Sequence, residues 1–167
     1  MKLQPGDIFC SKNPMALGRA INAVQAFWAR DNSSEYSHAG IILNKQGTTY
    51  EALWTVRSQY LREAYGGSKV LIGRHKRMDL KKFARGIKYI AHHTGQFYPF
   101  WRLPLHLIPP CARMLSFTDR LVCSELTKKF LVGAVICELP YAGETPDGIA
   151  DMIKKFDAWD VVFEGEM

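Results

Sequence analysis

The 167-residue sequence lacks several features that would place it outside the globular proteins. It contains no run of roughly 18 consecutive apolar residues, which argues against a membrane-spanning helix. It has four cysteines without a Cys-x-x-Cys spacing, which argues against a zinc site and against a disulfide framework. No internal repeat, low-complexity tract or evident linker is present, so we expect one domain over residues 1–167.

The N-terminus and the charge pattern also restrict the function. Residues 1–7 lack the apolar core of a secretory signal, so we expect a cytoplasmic protein, with delivery by a phage or lysis system left open. The formal net charge is +6, but the basic residues occur in small clusters such as 74–77, which are typical of solvated faces. Without a nucleic-acid-binding motif, we expect no nucleic acid partner.

The apolar periodicity predicts an α+β fold in which helices pack on a small, mainly antiparallel sheet. We leave open whether residues 55–58 extend the second strand or enter a turn. Helices are predicted at 15–30, 80–92, 123–133 and 147–156, and strands at 8–10, 38–43, 48–54, 69–74 and 159–163.

Cys123 is placed where a strand-like segment meets the first turn of a predicted helix. Leu126, Phe130 and Leu131 are spaced for one buried face of that helix. The positive end of the helix dipole stabilises a thiolate at its N-terminus, which is what a cysteine nucleophile needs. A buried structural cysteine is the alternative interpretation.

A histidine and an acid lie on two predicted strands earlier in the chain. His38 begins the first strand, and Glu51 lies in the second, after the short turn at 44–47. A short turn favours a hairpin, which would bring the two side chains together and let Glu51 orient the imidazole. Taken singly, His38 and Glu51 would favour structural roles; together with Cys123 they predict a Cys-His-Glu set.

These segments resemble the circularly permuted NlpC/P60 papain-like cysteine hydrolases, in particular the YiiX/YebB-like group. The order in which the histidine, the acid and the cysteine occur carries the resemblance, and it covers residues 5 to about 150. The matching segments are Pro5-Gly6-Asp7-Ile8-Phe9, Ser37-His38-Ala39-Gly40-Ile41, Tyr50-Glu51-Ala52, Gly95-Gln96-Phe97-Tyr98, Val122-Cys123-Ser124-Glu125-Leu126 and Thr145-Pro146-Asp147-Gly148-Ile149.

The resemblance implies a permuted papain-like fold and a thiol hydrolase that needs no metal or other cofactor. Cys123 would be the nucleophile, His38 the base and Glu51 the orienting acid, with Tyr98, Ser37 and Ser124 as candidate substrate or oxyanion contacts. Small peptides, amino-acid amides, acyl groups and peptidoglycan fragments all remain open as substrates. Adjacent His92 and His93 point about 100° apart on a helix, so we expect no metal site there.

Residues 95–118 form an apolar, proline-rich insertion just before Cys123. Its prolines forbid one long helix, and its apolar content suits either core packing or a wall of the substrate cleft. Membrane contact through residues 97–117 also stays open. A catalytically inactive binding module and a lipid or membrane-surface acyltransferase are therefore the alternatives to a hydrolase.

Overall fold

The computed structural model describes residues 1–12, 35–97, 121–137 and 145–167. The helix predicted at 15–30 lies outside these residues, and so do Tyr98 and the part of the 95–118 insertion that follows residue 97. No helix within the described ranges is long and apolar enough to cross a membrane.

The described residues contain a six-stranded sheet with the order β4-β3-β2-β1-β5-β6. All neighbouring strands are antiparallel, and Ser11 of the first strand is paired with His38 of the second. The strands are β1 (Ile8–Ser11), β2 (His38–Ile42), β3 (Thr48–Ala52), β4 (Val56–Tyr60), β5 (Lys69–His75) and β6 (Trp159–Glu166).

Four α-helices accompany the sheet in the same residues: α1 (Leu61–Tyr65), α2 (Leu80–Ile90), α3 (Cys123–Gly133) and α4 (Pro146–Lys155). A short 3-10 turn, Ala91–His93, follows α2. Two of the helices begin at side-chain caps: Asp79 accepts the backbone N–H of Lys82 at 2.8 Å, and Thr145 accepts that of Gly148 at 3.0 Å.

Apolar side chains are buried on both faces of the sheet. On one face, Ile41 and Leu71 share a core with Leu126 and Phe130 of α3 and Ile153 of α4. The opposite face has a smaller cluster made of Phe9, Ile42, Leu61, Tyr65, Val70 and Ile72. Since strand residues alternate between faces, His38 and Glu51 project toward this second cluster.

Glycines let α2 and α3 approach closely. A Cβ atom at Gly86 of α2 would lie 2.6 Å from the Phe130 ring, and one at Gly133 of α3 would lie 2.5 Å from Cβ of Tyr89. Both distances are shorter than carbon atoms tolerate, so a larger residue at either position would force the helices apart. The position of α3, and with it that of Cys123, depends on this packing.

The expected α+β fold, with an antiparallel sheet packed against helices, is confirmed. The second predicted strand ends at Ala52, and residues 53–55 turn the chain into the separate strand β4. That strand and the short α1 had not been predicted as elements. The last strand continues to Glu166, three residues beyond its predicted end.

Candidate active site

Cys123 is the first residue of α3 and is almost fully buried. The carboxylate of Glu125, in the first turn, accepts the backbone N–H of Val122 at 3.3 Å. Valine has no side-chain acceptor, so only this half of a capping box is present. Because Cys123 is the first residue of α3, the backbone N–H groups that lack partners within the helix lie close to its thiol.

His38 and Glu51 are hydrogen-bonded as the hairpin prediction required. Nε2 of His38 lies 2.6 Å from Oε2 of Glu51, and the two side chains are 6% and 0% exposed. The remaining ring nitrogen, Nδ1, is then the one available to a second partner.

Two hydroxyl groups complete the environment of the Glu51 carboxylate. Thr49 donates to Oε1 at 2.5 Å, and the phenol of Tyr65 donates to Oε2. Burial alone would raise the pKa of Glu51, but the hydrogen bonds from His38, Thr49 and Tyr65 hold it below its usual value. Burial and the charge of Glu51 raise the pKa of Tyr65, so its phenol remains a donor.

Aromatic rings hold the imidazole in place. The ring of Tyr65 is stacked on that of His38, with centroids 5.8 Å apart and an angle of 21°, and the Phe9 ring lies 6.0 Å from it. Gly40 makes room for this arrangement, because a Cβ atom there would lie 2.5 Å from Phe9 and 3.0 Å from Cβ of Glu51. His38 is therefore oriented by packing as well as by its hydrogen bonds.

The strands that carry His38 and Glu51 separate at this end of the sheet. β2 and β3 are paired at Ile41–Tyr50 and Ile42–Thr49, whereas no pairing is formed between them at His38. α3 packs against both strands. Cys123, at the start of α3, is close enough to His38 for a side-chain hydrogen bond with the imidazole.

The protonation of His38 depends on both of its partners. Burial would lower the pKa of the imidazole, but the negative charge and hydrogen bond of Cys123, followed by those of Glu51, raise it to about 10. Negative charge on these two partners favours the protonated imidazole, so the environment of His38 suits an imidazolium.

The other predicted contact residues differ in their placement. Ser37 directly precedes His38 and is buried, with its backbone N–H donated to the carbonyl of Ser11 at 3.1 Å. Ser124 follows Cys123 and is fully buried. Their roles in substrate or oxyanion binding stay predictions, as does that of Tyr98, which lies outside the described residues.

Histidines elsewhere form local contacts. Nε2 of buried His93 lies 2.8 Å from Nζ of Lys129, and its Nδ1 lies 2.7 Å from Oε1 of Gln96. His92 is exposed. Across the described ranges, no group of three or more His, Cys, Asp or Glu side chains is placed to hold a metal ion.

Comparison with known proteins gives a structural match. No model of a known protein family matches the chain, and no curated protein matches its sequence. Among solved structures, the metalloprotein YiiX from Escherichia coli O157:H7, assigned to DUF1105, has a similar fold, with a TM-score of 0.71 and 16% sequence identity. The match covers 100% of each chain.

The chain therefore has a YiiX-like fold, as the resemblance to that group implied. At this identity the match concerns the fold and leaves the chemistry open. The wider NlpC/P60 assignment, the single-domain boundaries and the catalytic roles of Cys123, His38 and Glu51 stay predictions.

Proposed function

We propose that this protein is a thiol hydrolase that cleaves an amide or ester bond through a thioester on Cys123. The observation that carries the proposal is the buried chain of contacts from Cys123 through His38 to Glu51, together with the helix start that carries the thiol. A nucleophile, a base and a group that orients the base are the three parts that such chemistry requires.

Attack on the substrate would begin from the thiolate–imidazolium pair. The sulfur of Cys123 adds to the substrate carbonyl, and the backbone N–H groups at the start of α3 stabilise the resulting oxyanion. As the intermediate collapses, His38 gives its proton to the leaving amine or alcohol, and a thioester remains. His38 then takes a proton from water, which attacks the thioester and releases the acid and the free thiol.

Glu51 has a supporting role in this scheme. Its carboxylate fixes Nε2 of His38, so that Nδ1 faces the sulfur. Because Thr49 and Tyr65 also donate to Glu51, the carboxylate stays ionised inside the protein and stabilises the imidazolium.

The proposal uses no metal ion. YiiX is described as a metalloprotein. In this chain, Glu51 already accepts from Thr49, Tyr65 and His38, and His38 also hydrogen-bonds Cys123. These three side chains do not fit a metal site, because their donor atoms are engaged with one another.

Thiol labelling tests the proposal without knowledge of the substrate. At pH 6, we expect iodoacetamide to alkylate Cys123 far faster than Cys10, Cys111 or Cys137, because the imidazolium of His38 stabilises the thiolate of Cys123. Mass spectrometry of the four cysteine peptides measures each rate separately. In His38→Ala the difference should disappear.

The substrate class is then tested with peptides, amino-acid amides and fatty-acyl esters, with Cys123→Ser as the inactive control. A protein whose four cysteines react equally slowly, and whose His38→Ala variant behaves like the parent, would be the inactive binding module. Turnover that persists in Cys123→Ser would also contradict the proposal.

A further inference from the structure

The positive charge of the chain is concentrated in one segment that includes α2. Residues 74–93 contain seven lysines and arginines and one acid, Asp79, so the segment has a net charge of +6. The formal net charge of the whole chain is also +6, which means that the remaining residues are neutral as a group. Such an asymmetry creates a local positive potential, whose extent depends on where the fold places these cations.

The cations of α2 lie on the side of the helix that faces away from the core. Phe83 and Ile90 pack into the core. At about 100° per residue, Lys81, Arg85 and Lys88 fall on one stripe about 180° from that apolar face. All three are exposed. The outer face of α2 is therefore a row of positive charges.

The turn before α2 adds to this row. Nζ of Lys82 donates a hydrogen bond to the backbone carbonyl of Arg77 at 2.7 Å, which places the exposed Arg77 beside the first turn of the helix. Two clusters that are separate in the sequence thus meet in the fold. We call the combined area the basic surface; it consists of Arg77, Lys81, Lys82, Arg85 and Lys88.

The basic surface has no acidic partners within the described part of the chain. Lys76, next to it, pairs with Asp160 at 3.6 Å, but none of the five cations of the basic surface forms an ion pair there. The sequence of α2 contains no acid, and the carboxylate of Asp79 accepts a backbone N–H as the cap of the helix. Its charge is thus left to be balanced from outside the protein.

This charge pattern works against the stability of α2. Lys81 and Arg85 are four residues apart, a spacing at which like charges repel each other. Lys81 and Lys82 also lie in the first turn, where the helix dipole disfavours positive charge. A bound polyanion would relieve both effects, whereas burial of the apolar face of α2 does not require them.

Exposed apolar side chains on either side of the stripe indicate which polyanion fits. Leu80 is 72% exposed and Tyr89 is 45% exposed, and they lie about 100° and about 80° from Lys81 in opposite directions. A leucine gains nothing from a phosphodiester backbone or an acidic polymer. At a membrane surface, leucine enters the acyl region, tyrosine suits the headgroup level and lysine contacts anionic headgroups.

From this arrangement we propose that the basic surface binds anionic phospholipid headgroups, with Leu80 inserted below them. The contact is peripheral, with α2 lying along the membrane. Because α3 packs on the opposite side of α2, through Phe83 and Phe130, the proposal is independent of the chemistry of Cys123. The surface is also distinct from the 97–117 stretch.

Sedimentation of the full-length protein with vesicles tests the proposal. The vesicles are phosphatidylcholine alone, or phosphatidylcholine with one third phosphatidylglycerol. We expect binding to the anionic vesicles to be about a hundredfold tighter, since each cation near such a surface adds to the attraction. The preference should disappear at about 1 M salt, where the screening length falls to about 3 Å.

A triple variant locates the contact. Lys81→Gln, Arg85→Gln, Lys88→Gln should weaken binding to anionic vesicles about a hundredfold. Its Tm should be no lower than that of the parent, because the change removes repulsion within α2.

Two further variants serve as controls for charge. Lys45→Gln, Arg57→Gln, Arg62→Gln removes the same charge from exposed positions outside α2 and should bind like the parent. Lys81→Arg, Lys88→Arg keeps the charge of the stripe and should also bind like the parent.

Leu80→Gln separates a membrane from a soluble polyanion. It should weaken vesicle binding about tenfold, because the leucine no longer enters the acyl region. Binding of a single-stranded oligonucleotide, measured by fluorescence anisotropy, should be weaker than vesicle binding and unchanged in this variant.

Several results would overturn the proposal. These are equal binding to the two kinds of vesicle, equal weakening in the two triple variants, or vesicle binding that Leu80→Gln leaves intact. Oligonucleotide binding as tight as that of anionic vesicles would assign the basic surface to nucleic acid instead. Cys123→Ser should bind vesicles like the parent, so the outcome is separate from that of the hydrolase proposal.

Discussion

Glu51 is fully buried, and its carboxylate accepts three hydrogen bonds from side chains. Tyr65 is the most informative of the donors, because it also stacks on the His38 ring. It touches neither the sulfur nor any group of the substrate in the proposed mechanism. Tyr65 is therefore a positioning residue, and its effect should depend on pH.

In Tyr65→Phe, Glu51 loses one donor while the ring stack is kept. The hydrogen bond from Tyr65 lowers the pKa of Glu51, so its loss raises this pKa. The carboxylate is then protonated at a higher pH than in the parent. We expect the alkylation rate of Cys123 to fall about tenfold at pH 6 and its acid limb to move to higher pH. The measurement is the labelling rate as a function of pH.

Tyr60→Phe is the matched control, because Tyr60 is exposed at the end of β4. Its pH profile should coincide with that of the parent. If Tyr65→Phe also kept the parent profile, the phenol would have no part in setting the charge of Glu51.

Part of this site was predictable from individual residues. His38 and Glu51 were expected to meet because a short turn separates their strands. Tyr65 was missed, since its contact with Glu51 depends on the path through β4 and α1, which periodicity did not reveal. Which imidazole nitrogen faces Glu51 follows from side-chain rotation, and the sequence contains no signal for it.

Among the elements, the end of α3 is unusual. Val135 follows the helix with φ of +56°, a left-handed conformation that a β-branched side chain rarely adopts. The backbone N–H of Ile136 is donated to Leu131 at 2.9 Å, which closes the helix in the way that normally uses glycine.

Val135→Gly should therefore stabilise the protein. The Val135 side chain is 56% exposed, so its removal sacrifices little buried surface while it relieves the strain. We expect a gain of about 1 kcal/mol in the free energy of unfolding and a rise of about 3 °C in Tm. Calorimetry of thermal unfolding measures both.

Ala134→Gly provides the opposite case at the preceding position. Ala134 is buried and has right-handed φ of −76°, so glycine offers no relief there. The change should destabilise by about 1 kcal/mol. A gain in both variants would point away from backbone strain at Val135.

The sequence predicted elements with strong apolar periodicity, such as α2 and α3. β4 was missed because its sequence, Val56–Tyr60, is largely polar and its residues are mostly exposed at the edge of the sheet. Alternation arises when one face of a strand packs on the core, and β4 buries little beyond Val56. Its existence follows from pairing with β3 instead.

At the scale of the whole molecule, the ion pair between Asp7 and Arg74 joins the N-terminal segment to β5. The guanidinium of Arg74 donates Nε–H to Oδ1 of Asp7 at 2.7 Å and a second N–H to Oδ2 at 2.8 Å. Asp7 is 1% exposed, whereas the Arg74 side chain is 26% exposed. Removal of Arg74 therefore leaves a buried charge, whereas removal of Asp7 leaves a charge that water can reach.

This asymmetry predicts unequal effects on stability. Arg74→Met leaves a carboxylate buried without its partner and should cost about 3 kcal/mol. Asp7→Asn leaves a guanidinium that water can reach and should cost about 1 kcal/mol. Urea unfolding of both variants gives the two free energies, and the reverse ranking would contradict this explanation.

The order of the strands in the sheet could not be predicted from the sequence. Strands joined by short turns can be paired from their spacing, as β2 and β3 were. β5 lies beside β1, and β6 beside β5, through long-range contacts between segments that are far apart in the chain. Such pairing is decided by the packing of the complete core.

The proposed nucleophile depends on the folded state, because Cys123 and its partners come from different parts of the chain. Cys123 belongs to a helix from the second half of the chain, whereas His38 and Glu51 belong to the strands β2 and β3 from the first half. A local unfolding event that releases α3 would leave the sheet hydrogen bonds intact and return Cys123 to the behaviour of an ordinary thiol. Under the hydrolase proposal, the sulfur of Cys123 would thus be unusually reactive only in the folded protein. A partly folded chain would carry a thiol of ordinary reactivity.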